Sequence, residues 1–91
     1  MKSKRVMIVD DDKIFLNELK ELLESSGYET IVISDSTQAF GMAQRKKPNV
    51  ILLDMRMDGM NGYQVTMKLK QSPDTSHIPI IAMTGYSSEE D

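Results

Sequence analysis

Three consecutive aspartates, Asp10-Asp11-Asp12, follow the apolar run Val6-Met7-Ile8-Val9, and a fourth, Asp54, follows a second such run, Val50-Ile51-Leu52-Leu53. A hydroxyl, Thr84, follows a third, Ile80-Ile81-Ala82-Met83. Carboxylates gathered in one crevice repel one another, so the cluster is costly unless protons or a cation compensate. A hard divalent ion with oxygen ligands is the natural compensation, and magnesium retains waters while accepting one or two protein carboxylates and a phosphate oxygen. A carboxylate beside such an ion can act as a nucleophile and form an aspartyl-phosphate, the metal neutralising charge on the transferred group. An aspartate after a strand is often only a helix cap, and Asp12, just ahead of Lys13, best fits that structural role. The others stand out by placement. One acidic group ends the first strand, one ends the third, and a hydroxyl ends the fourth.

These groups meet only if the elements carrying them do. Val6 to Val9 and Val50 to Leu53 are short continuous apolar runs, the pattern of strands buried on both faces. Between them, Ile14, Phe15, Leu19, Leu22 and Leu23 recur at helical spacing with Asn17, Glu18, Lys20, Glu21 and Glu24 facing away, and Gly27 supplies the stop. Tyr28 to Ile33 reads as a strand. Ser34 to Thr37 offers helix caps for an apolar stripe of Ala39, Phe40, Met42 and Ala43 that ends at the basic triplet and Pro48. Gly59, Asn61 and Gly62 mark a turn, Tyr63 to Gln71 is helical, Pro73 to Pro79 is a loop, and Ile80 to Met83 with Ile78 forms a fourth strand broken at Thr84-Gly85. Strands alternating with helices predict a parallel sheet of right-handed crossover units covered on both faces. If the second and third strands flank the first, the winding reverses between the first and third. Ligands of open sheets bind at the carboxyl ends of strands flanking such a reversal, where Asp10, Asp11 and Asp54 fall.

Composition narrows the class. Ninety-one residues, 40% hydrophobic and 27% charged, fit one small domain over 1–91 without low-complexity tracts. The net charge of −3 comes from 11 basic and 14 acidic residues, mostly interspersed, which argues against direct nucleic-acid binding. Two short basic groups, Lys2, Lys4 and Arg5 and then Arg45, Lys46 and Lys47, read as a solvated terminus and a helix end whose dipole favours cations. The absence of Cys excludes disulfides and thiolate chemistry, and the single His77 gives zinc no ligand set. No segment approaches the ~20 apolar residues of a membrane span, and a cytoplasmic protein is the expectation.

The elements Ile8-Val9-Asp10-Asp11, Leu52-Leu53-Asp54-Met55-Arg56-Met57, Gly59 with Gly62, and Met83-Thr84-Gly85 occur in this order. In this combination the chain resembles the receiver domains of two-component response regulators over essentially its whole length. The resemblance implies a flavodoxin-like, doubly wound α/β fold with strand order 2-1-3-4. It implies that Asp54 is the phosphoryl acceptor and that magnesium is bound by Asp11, Asp54 and the Arg56 backbone carbonyl, with Asp10 assisting through water. Thr84 would hydrogen-bond the phosphoryl group and Gly85 would leave it accessible. The expected donor is a phosphohistidine on a sensor histidine kinase or a histidine phosphotransfer protein. The chain would switch a downstream output and catalyse only its own phosphorylation and dephosphorylation.

Two departures from the family pattern stand out. Asp58 occupies a position where the family often has proline. The family's lysine, its switch aromatic and a fifth strand and helix would follow Thr84, whereas the sequence ends at Asp91, so the expectation is a receiver lacking about one strand-helix unit. Lys68 and Lys70, on the third helix, cannot stand in for that lysine. Two other functions compete: a pseudo-receiver that serves as an interaction module without phosphorylation, and a phosphatase of the haloacid-dehalogenase type with Asp10 as nucleophile. The second would leave Asp54 and Thr84 without a role. An unpaired apolar fourth strand also predicts a homodimer or higher assembly.

Overall fold

The computed structural model describes residues 3–57 and 59–83, and Thr84 and Gly85 lie outside them. Four strands, β1 (Arg5–Val9), β2 (Glu29–Ile33), β3 (Val50–Asp54) and β4 (Ile80–Met83), form one sheet in the order β2-β1-β3-β4. All three pairings are parallel, with Val9 beside Ile33 and Leu53 and Asp54 beside Met83. The crossovers carry α1 (Lys13–Ser25), α2 (Ala39–Lys46, entered through a 3-10 turn at Ser36–Gln38) and α3 (Gly62–Gln71). The fold class and strand order expected from the sequence are those observed.

Alternation along β1 and β3 divides the core in two, because successive strand residues face opposite sides of the sheet. Met7, Val9, Ile51 and Leu53 pack with Ala39 and Ala43 of α2 and Val65 and Leu69 of α3. On the other face Val6 and Ile8 pack with Leu16 of α1, and Leu19, Leu23, Val50, Leu52 and Met83 are only partly buried there. Among the described residues the first cluster holds eleven buried residues and the second three, so the α2/α3 face supplies most of their apolar stabilisation. Each buried aliphatic side chain contributes about 1.5–3 kcal/mol.

The helix ends follow local chemistry. The Asp12 carboxylate accepts from the backbone N–H groups of Ile14 and Phe15, which makes it the N-cap of α1 as expected. Gly27, at φ 95°, ends α1. Its N–H donates to the Glu24 carbonyl and that of Tyr28 to Leu23, satisfying two carbonyls of the last turn. Two expectations need correction. In α1 it is Leu16 that is buried, whereas Ile14 is 74% and Leu22 62% exposed, because the crossover rotates the helix so that another part of its apolar stripe meets the sheet. Ile78 is buried but does not belong to β4. Its N–H closes a turn on the Thr75 carbonyl, and Pro79, which has no N–H, separates it from the ladder.

Candidate functional site

The carboxyl ends of β1 and β3 lie side by side, so Asp10, Asp11 and Asp54 converge. A carboxylate oxygen from each lies within 4.8 Å of the others. Each aspartate of the first loop has a distinct setting. Asp10 is buried at the end of β1, its N–H donates to the Ile33 carbonyl, and its Oδ1 accepts the Asp12 N–H at 2.9 Å. Asp11 is exposed, and Asp12 faces away into the cap of α1. Asp54 is the last residue of β3 and is half-buried, with Oδ1 accepting the Arg56 N–H at 3.0 Å. That bond folds the Arg56 backbone against the Asp54 carboxylate.

Electrostatics here favour a cation. Burial pushes the Asp10 carboxyl above its ordinary range, partly opposed by the Asp12 N–H. The charges of Asp54 and Asp11 and a side-chain hydrogen bond with Asp54 push it further the same way. A divalent cation would relieve these repulsions together, and an all-oxygen donor set of clustered carboxylates suits magnesium.

The loop between β3 and α3 is held by close packing and by a cap. Asn61 accepts from the Gln64 N–H at 3.0 Å while the Gln64 side chain accepts from the Asn61 N–H at 2.9 Å, a reciprocal capping box. Gly62, the first residue of α3, comes so near β3 that a Cβ would lie 2.6 Å from the Met55 Cα and 2.7 Å from the Asp54 carbonyl oxygen. Beside Asp11 a cleft of about 370 Å³ opens, lined by Ser34, Asp35, Ser36 and Met57. By residue type alone, Ser34 to Thr37 offers only helix caps. Asp35 does cap the turn, accepting from the Thr37 N–H and hydroxyl, but the loop after β2 also borders the site. The signal for this was available, since β2 flanks β1 and its following loop must emerge at the same end of the sheet.

The profile of the response regulator receiver domain matches residues 6–91, and the chain belongs to that family. The family comprises the phosphoacceptor domains of two-component signalling, which removes the dehalogenase-type alternative. The polar-differentiation response regulator DivK of Brucella anthropi is 36% identical over 88 residues, covering 97% of this chain and 72% of the relative. The receiver domain of the sensor histidine kinase PA1611 from Pseudomonas aeruginosa PAO1 matches with a TM-score of 0.85 at 28% identity. That match covers 91% of this chain and 68% of the other, whose structure holds a magnesium ion coordinated in the active-site cleft. The N-terminal domain of a response regulator receiver protein from Methanoculleus marisnigri JR1 also matches, with a TM-score of 0.85 and 26% identity over 88% of this chain and 65% of that one. The chain thus spans about two thirds of the length of these solved relatives.

Proposed function

We propose that Asp54 accepts a phosphoryl group from a phosphohistidine, with magnesium held by Asp11, Asp54 and the Arg56 backbone carbonyl and with Asp10 acting through water. The convergence of three carboxylates at the ends of β1 and β3 carries this reading. In the transfer an Asp54 carboxylate oxygen forms a bond to phosphorus, the phosphorus–nitrogen bond breaks, and its electron pair returns to the donor imidazole. Bound magnesium would neutralise charge on the transferred oxygens. The Arg56 N–H fixes the Asp54 carboxylate for attack, and Asp10, anchored on the Asp12 N–H, sets the negative field that draws the cation in. Thr84 is proposed to donate its hydroxyl to the phosphoryl group.

The partner is a sensor histidine kinase or a histidine phosphotransfer protein in a cytoplasmic setting, and phosphorylation switches a downstream output. Dephosphorylation is the chain's own second reaction, in which water attacks phosphorus, the Asp54 carboxylate leaves and inorganic phosphate is released. Residues 1–91 act as one receiver domain. The chain self-associates through β4.

Incubation with acetyl phosphate and magnesium, followed by borohydride trapping and peptide mass spectrometry, should place the adduct on Asp54. Labelling at Asp10 would overturn the assignment. A pseudo-receiver would give neither an adduct nor a saturable response to beryllofluoride with magnesium.

A further inference from the structure

At the amino end of the sheet, opposite the aspartates, the fold joins two basic groups that lie far apart in sequence. The β1–β3 pairing sets Arg5 beside Asn49: the Arg5 N–H donates to Asn49 Oδ1 at 2.7 Å and the Asn49 N–H to the Arg5 carbonyl at 2.9 Å. Arg5 Nη1 also donates to the Lys46 carbonyl at 2.6 Å, drawing the end of α2 to the start of β1. The result is a concavity of about 440 Å³ lined by Ser3, Lys4, Arg5, Glu29, Lys47 and Asn49.

Its chemistry is one-sided. Glu29, the one acid among the described residues that line it, is paired with Arg5 at 3.3 Å. Among the described residues neither Lys4 nor Lys47 forms an ion pair. The Asn49 carbonyl oxygen is occupied by the Arg5 N–H, which leaves its amide N–H groups as donors. Lys47 is also the only described residue other than glycine with positive φ, at φ 50° and ψ 61°. A left-handed lysine where glycine is the usual helix stop is a strained choice, and such strain gathers at functional positions. Arg45 and Lys46 already serve the dipole from within the last turn of α2. Among the described residues no aromatic or large apolar side chain lines the cleft, and none of them would hold a nucleobase or an apolar anchor.

We propose that this cleft binds a compact multivalent anion bearing phosphate or carboxylate groups, through Lys4, Lys47, Arg5 and the Asn49 amide, independently of the aspartate site. The test is a titration of the 91-residue chain with inorganic pyrophosphate, without magnesium and at low ionic strength, followed by backbone amide NMR, with citrate as a second arm. Saturable shifts should centre on Lys4, Arg5, Lys47 and Asn49 and spare Asp10, Asp11 and Asp54. A response to both anions assigns the site to multivalent anions in general, and a response to pyrophosphate alone assigns it to phosphate. Lys47→Gly relieves the left-handed backbone, so the variant keeps its fold while losing about tenfold in affinity, the worth of one charged hydrogen bond. Lys4→Gln should weaken binding similarly. Non-saturable shifts scattered over all lysines, or unchanged affinity in folded Lys47→Gly, would overturn the proposal.

Discussion

Asp10 is only 8% exposed and faces two other carboxylates, so its charge is the least comfortable in the metal-free chain. Its carboxyl is raised above the ordinary value by burial first and by Asp54 and Asp11 next. A carboxyl raised by folding contributes stability that is fully present below its unfolded value of ~3.9 and is lost as pH rises through the folded value. At neutral pH the ionised group therefore opposes folding. Asp10→Asn keeps the oxygen that accepts the Asp12 N–H and removes the charge. Its melting temperature at pH 7 in a chelator should exceed that of the parent, and the advantage should vanish below pH ~4. Glu24 is lowered by its hydrogen bonds to Lys20 and then Thr30, and Asp35 by the Thr37 hydroxyl and N–H. Both have the opposite sign, losing stability as pH falls, but both are present in parent and variant and cancel in the comparison. Magnesium should raise the parent's melting temperature, by ~2.7 kcal/mol in stability at a hundredfold excess over Kd, and should leave an Asp11→Asn, Asp54→Asn double variant unmoved. A parent as stable as Asp10→Asn in chelator at pH 7 would refute the electrostatic account. The sequence carried the identities of the three converging aspartates and the capping role of Asp12, because residue type and strand end suffice for that. The burial of Asp10 it did not carry, since that depends on what β2 and β3 bring alongside.

The elements hold the site through two neighbouring residues whose loss should have different effects. Asn61 caps α3 from outside, so Asn61→Ala should cost about 1 kcal/mol of stability and leave magnesium affinity unchanged. Gly62 lies against the β3 backbone, and a Cβ there meets the Met55 Cα and the Asp54 carbonyl oxygen, which cannot step aside as a flexible side chain could. Gly62→Ala should lower both stability and magnesium affinity, the latter by about tenfold, as loss of a group that positions a ligand does. Thermal melts paired with magnesium titrations separate the two, and equal losses of affinity in both variants would contradict this division. Asn61 and Gly62 were readable as a turn from their types, but the close approach of Gly62 to β3 is tertiary and leaves no mark in the sequence. The same limit explains α1. Its helical period was plain, yet Leu16, and not Ile14 or Leu22, is the residue turned fully to the core.

Among the described residues the two faces of the sheet are unevenly covered, and the imbalance falls on β4. The strand order was legible through the resemblance to receiver domains, since the residue pattern alone makes the flanking of the first strand a condition; how unevenly the two faces are covered was not, because periodicity does not say which helix spans which strands. In the observed register Ile8, Leu52 and Ile81 lie side by side on the α1 face. There α1 packs along β2 and over Val6 and Ile8. Ile81, two strands from β1, is 54% exposed. Among the described residues β4 pairs only with β3, which leaves its outer backbone groups open, and Ile80 to Met83 carries no charge to discourage another chain. Backbone pairing of β4 with a second copy would satisfy those groups, and contact at Ile81 would remove apolar surface from water at about 25 cal/mol per Å². The 91-residue chain should therefore form dimers that dissociate on dilution. Ile81→Lys places a charge on the exposed face and should shift the equilibrium to monomer with little loss of stability, since the side chain is already half in water. Sedimentation velocity over a dilution series reads both outcomes. A parent that is monomeric at every concentration, or an Ile81→Lys variant that assembles as tightly as the parent, would show that β4 is not the seam.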